Sequence, residues 1–152
     1  MTYSTADARR QLLDQVAVAA EELGVALAAL TEAYEQLDDA TADRLEEQLF
    51  RPVQTAFGRI KRTHAEFAGR HGLPGRTFEP AMRGLPSQGV RGFVEGAVQA
   101  VGRADLTLGT LQDSMLPVEV GDAELRAGLS EVRRLVGDVP VRARGFVRVL
   151  GR

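Results

Sequence analysis

Four stretches of this chain place apolar residues at alternating steps of four and three. In the first the series is Leu12, Val16, Ala19, Leu23, Ala26, Leu30, Ala33 and Leu37. Such spacing puts one continuous stripe on one face of an α-helix. Ser4, with Asp7 three residues later, supplies a capping-box-like start, and the pattern predicts a helix near 4–39. The second series is Phe50, Val53, Phe57, Ile60, His64, Phe67 and His71, on a helix near 42–71 capped by Thr41, with Gly72 past its end and Pro74 as a stop. The third, near 87–116 and capped by Ser87, carries Val90, Val94, Ala97, Val101, Ala104, Leu108, Leu111 and Met115, and Pro117 ends it. The fourth, near 122–150 and capped by Asp122, carries Leu125, Leu129, Val132, Val136, Val139, Ala143, Phe146 and Leu150.

Two prolines fall inside these helices. Proline lacks a backbone N–H and its ring collides with the carbonyl four residues earlier, so Pro52 and Pro140 should each kink the helix they occupy. For residues 122–150, two shorter helices are the alternative to one kinked helix.

The expected architecture is all-α, an antiparallel up-down-up-down four-helix bundle forming a single domain over residues 1–152. Helices of about 30 residues make rods of roughly 45 Å. The first and third connections are too short to run back along such a rod, so they join antiparallel neighbours. The middle connection, residues 72–86, is rich in Gly and Pro and has fifteen residues. Fully extended it would reach about 50 Å. Because Gly/Pro loops rarely run fully extended, a crossover is the less favoured topology.

Composition changes this picture little. The 44% apolar and 26% charged residues suit one folded domain, and the formal net charge of −2 gives no global attraction to nucleic acid or anionic membrane. Cysteine is absent, which removes disulfides and thiolate chemistry. No stretch approaches the ~20 apolar residues of a membrane span, and the start of the chain lacks a signal-peptide pattern. These features point to the cytoplasm. Eighteen of the nineteen basic residues are arginine, and only Lys61 is lysine. Residues 1–50 hold eleven acids against three arginines, a balance of −8, whereas residues 51–83 hold seven basic residues against two acids, a balance of +5. An acidic first helix beside a basic second helix would help select that pairing.

Candidate chemistry is sparse. His64 and His71 lie on the second seam and are the candidate ligand-binding residues, but seven helical residues separate them by about 10.5 Å along the axis. They cannot share one metal ion. His64 would need partners from other helices, with Asp14 and Glu95 the nearest candidates by level. A ferritin-like di-iron bundle, which this layout resembles, needs inward carboxylates and Glu-x-x-His pairs; here Lys61 and Ala68 stand three residues before the histidines and the central seams carry no carboxylate. The run Arg59 to Gly69 resembles the reactive segment of histidine phosphotransfer bundles only superficially, because Glu66, Phe67 and Ala68 replace the residues expected after the histidine. Arg142, Arg144, Arg148 and Arg152 make the last helix basic, a candidate anion site with no base-reading platform beside it. Val18, Val25 and Ala29 fall opposite the first seam, and Gly92 and Gly96, with Gly89, Gly102 and Gly109, give the third helix a small-residue face.

These residues favour a non-enzymatic protein-interaction module, self-associating as a homodimer through the outer face of the first helix and the glycines of the third. The alternatives are a small-ligand or metal-binding bundle using His64, and anion or nucleic-acid binding by the C-terminal arginines. No cofactor is expected.

Overall fold

The computed structural model describes residues 4–83 and 89–150, and within them every regular element is helical. The helices are α1 (Thr5–Glu35), α2 (Asp39–Leu45), α3 (Arg51–Arg70), α4 (Val90–Asp113), α5 (Leu116–Glu119), α6 (Ala123–Val136) and α7 (Val139–Leu150). A π turn, Glu46–Phe50, joins α2 to α3 without a break. Their buried apolar residues form one core.

Local chemistry explains most of the boundaries. Ser4 Oγ accepts from the Asp7 N–H and Asp122 accepts from the Leu125 N–H, as the sequence leads one to expect. The cap after α1 is Asp38 rather than Thr41: its carboxylate accepts from the Thr41 N–H at 2.8 Å, and the helix starts at Asp39. α1 stops at Glu35, four residues short of the expected end, for the same reason. Gly72 adopts a left-handed φ of 65° and the Leu73 N–H reaches back to the Ala68 carbonyl at 2.9 Å, closing α3 in a Schellman motif. Met115, expected as the last seam residue of the third helix, instead takes a left-handed φ of 69° and points outward. The Ser87 cap lies outside the described residues, as does the part of the loop over 84–88.

The two prolines act differently. Upstream of Pro52 the backbone widens into the π turn, in which the Arg51 N–H donates to the Glu46 carbonyl five residues back. The wider turn relieves the clash that Pro52 would have with the Gln48 carbonyl, so the helical path continues. Pro140 lies in the first turn of α7, where a missing N–H costs nothing. Gly137 and Asp138 form a turn before it. Residues 122–150 are therefore two helices rather than one kinked helix.

The order of the helices corrects the expectation. In an up-down-up-down bundle the first and third long helices run parallel across a diagonal. Here α1 and α4 make the most extensive helix–helix contact, and they are antiparallel. Arg9 near the start of α1 donates to the Val120 carbonyl beyond the end of α4 at 3.0 Å, and Glu22 meets Arg103 midway. Buried alanines on both helices, among them Ala19, Ala26, Ala97 and Ala104, allow the two backbones to approach closely. α3 packs on α6, also antiparallel: Arg70 and His71 at its end hold Asp122 at the start of α6. α7 lies against α4 and the π turn.

The connection after α3 is accordingly a crossover. It begins beside Asp122 and passes over the middle of α1, where Gly24 admits it: a Cβ at Gly24 would lie 3.1 Å from the Glu79 carbonyl and 3.5 Å from Pro80 Cα. Arg76 pairs with Glu21 and Arg83 with Glu22, while Phe78 is buried beneath the strap. The loop is longer than expected because α3 ends at Arg70 and α4 starts at Val90, which gives the chain the reach to cross.

The α3–α6 contact generates a direct test. A Cβ on Gly128 would sit 2.3 Å from Thr63 Oγ1 and 2.7 Å from its methyl carbon. Gly128→Ala should lower the urea unfolding free energy by about 1–3 kcal/mol through overpacking, and adding Thr63→Ala should restore part of the loss. An unchanged urea midpoint for Gly128→Ala would contradict the close packing.

Candidate functional site

α4 and α7 together form an open trough with a mainly apolar floor. α4 turns Arg91, Glu95 and Gln99 outward at helical spacing, with Val94 and Val98 on the strip facing α7. α7 offers Pro140, Ala143 and Val147 to the same strip and sets Arg144 and Arg148, one turn apart, along its rim. The groove has a volume of about 430 Å³ and a floor made mainly of carbon. Among the described residues Arg91, Arg144 and Arg148 have no carboxylate within 4.0 Å, in contrast to Arg70, Arg76, Arg83, Arg103 and Arg133. Arg142 does not join them. It faces Asp138 at 4.0 Å, so the C-terminal arginines divide between two faces. Arg152 lies outside the described residues.

The glutamate placed with His64 by sequence level, Glu95, borders this groove. His64 lies elsewhere, under the strap, with its ring edge-on to Phe78 at 5.2 Å between centroids. It is 2% exposed, and its Nδ1 is buried without a hydrogen-bond partner. Burial, and secondarily the positive charge of Arg76, hold its pKa below the ordinary 6.5, with Asp14 pulling weakly the other way. Among the described residues no three His, Asp or Glu side chains are arranged to hold a metal ion. The set of His64, Asp14 and Glu95 is not assembled.

His71 serves the fold at the C-terminal end of α3. Its Nε2 is 3.0 Å from Asp122 Oδ2, and its ring tilts against Phe67 at 4.4 Å. Arg70 grips the same carboxylate with two hydrogen bonds of 2.7 and 2.8 Å. That grip, more than any other cause, holds the Asp122 carboxyl well below the usual range.

The face of α1 expected to be outward is mostly covered. Val18 is exposed, but Val25 is half-buried and Ala29 is buried. Both line a narrow pocket of about 140 Å³ with Gly96, beneath Met82 and Arg83 of the strap. Gly92 is half-buried. The strap is on this face because Glu22 anchors it. This carboxylate is 8% exposed and accepts from Arg83 at 2.7 Å and Arg103 at 2.9 Å. Burial would raise its pKa, but the hydrogen bonds from the two guanidiniums outweigh burial and the net shift is downward. Sequence reasoning missed Glu22, although its place three residues after Ala19 and four before Ala26 sets it on a buried edge of α1. No helix among the described residues is long and apolar enough to cross a membrane.

The buried imidazole has a measurable consequence. A histidine whose folded pKa is depressed favours the fold above its unfolded value and loses that contribution as pH falls below about 6.5. Wild type should therefore lose stability between pH 7.5 and pH 5, and His64→Leu should flatten that slope. Equal slopes in urea titrations of the two proteins would contradict the burial of a neutral ring. No protein family model, curated protein or solved structure matches this chain.

Proposed function

We propose that this chain is a non-enzymatic protein-interaction module that acts by self-association in the cytoplasm, with the α4–α7 groove as a contact surface. In this reading it is a bundle of four rods: α1, the α2–π–α3 rod, α4, and the α6–α7 rod, with the strap as the crossover between the second and third. The observation that carries the reading is the groove, whose apolar floor is rimmed by Arg91, Arg144 and Arg148, none with a carboxylate within 4.0 Å among the described residues. Protein interfaces combine an apolar centre with enriched arginine. An open trough also suits a convex protein surface better than an enclosed small molecule.

The notion of an interface over Val25, Ala29 and Gly96 has less behind it, because the strap occupies that ground. The same holds for a ligand at His64, whose ring is packed against Phe78 with no carboxylate set around it.

Light scattering across about 1 μM to 1 mM spans association free energies of roughly −8 to −4 kcal/mol. Over that range the weight-average mass should rise above the 16.4 kDa of one chain. A mass that stays at 16.4 kDa throughout would end the self-association reading.

A further inference from the structure

We infer that the copies associate head to tail, with the α4–α7 groove of one chain seating the edge formed by the end of α1 and the π turn of the next. This rests on the self-association reading above.

The occupant is identified by charge and shape. Thr31, Tyr34, Glu35, Glu46 and Phe50 form a small aromatic edge with a hollow of about 260 Å³. Tyr34 is 40% exposed, the only exposed aromatic among the described residues. Exposed tyrosine is a residue type that anchors interfaces when it enters an apolar trough. Glu35 and Glu46 flank it, and neither has a basic partner within 4.0 Å among the described residues. The edge belongs to the first third of the chain, residues 1–50, with eleven acids against three arginines. The groove has the opposite character: three arginines and one glutamate around a carbon floor.

The arrangement of helices decides the mode of association. The edge is built from α1 and the π turn alone, and the groove from α4 and α7 alone. α1 borders α4, and the π turn borders α7. The two surfaces therefore lie on opposite sides of the bundle. They lie at the same end, because α4 begins where its antiparallel neighbour α1 finishes. A two-fold axis through the groove would set arginines against arginines. Complementary charge is met only when the groove of one copy faces the edge of another, which is a heterologous contact that propagates.

Complementary capping tests this. One variant neutralises the groove, Arg144→Gln with Arg148→Gln. The other removes the edge, Tyr34→Ser with Glu46→Gln. All four side chains are at the surface or half-buried, and circular dichroism melting serves as the control that each variant folds. Wild type should grow past two chains in light scattering. Each variant alone should associate on the order of thirtyfold more weakly, the loss expected when one side of an interfacial charged contact is removed. Mixed one to one, the intact edge of the first should bind the intact groove of the second and stop at two chains. A mixture that remains monomeric, or a wild type that stops at two, would overturn the head-to-tail order and leave self-association standing. Variants that associate as wild type would do the same. A monomeric wild type would overturn both.

Discussion

The carboxylate of Glu22 joins three parts of the chain that are remote in sequence. It is almost enclosed on α1, and an enclosed charge is costly unless paired and hydrogen-bonded. Arg83 comes to it from the strap and Arg103 from the middle of α4. Meeting both demands at one point draws the strap over α1 beside Gly24 and fixes α4 against the same helix. Since the strap starts near Asp122 and must end where α4 begins, α4 descends antiparallel to α1. The placement of α7 beside α4, and with it the groove, follows from that order.

The helices themselves were legible in the sequence. Seams at three-four spacing, the caps at Ser4, Asp122 and Gly72, and the disturbance at Pro52 and Pro140 all reflect local rules that act within a few residues. What local rules do not contain is which seam faces which. The α1 seam of Leu and Ala fits a parallel or an antiparallel neighbour equally well, and heptad spacing carries no sign of direction. Direction came from long-range polar contacts: Arg9 with Val120, Glu22 with Arg103, and Arg70 with Asp122. Fifteen residues are short for a crossover, but the connection between Arg70 and Val90 is longer than that. Gly72 closes α3 within a residue of the expected end, and most of the extra length comes from α4, which starts only at Val90.

The candidate site was half legible. Arg144 and Arg148 share a helical face by spacing alone. Arg91 and the valines of α4 belong to a different seam and join them only through the tertiary arrangement. The separation of Arg142 depends on Asp138, which helical spacing does suggest but which only matters once the turn at Gly137 is seen. The opposite error occurred at Val25 and Ala29. Their place opposite the seam implied solvent, and a strap held by a buried glutamate covered them instead.

The strap crosses the helices so that α1 and α4 run antiparallel. The absence of cysteine makes this arrangement directly measurable by paired spin labels. One pair joins positions Gln15 and Thr110, and the other Gln15 and Arg91, all exposed on α1 and α4. Along α4 the two partner positions are separated by about 28 Å of helical rise. The pair at 15 and 110 should be the closer one by roughly that order of distance. A shorter distance for the pair at 15 and 91 would mean that α1 and α4 are parallel, and would contradict the crossover.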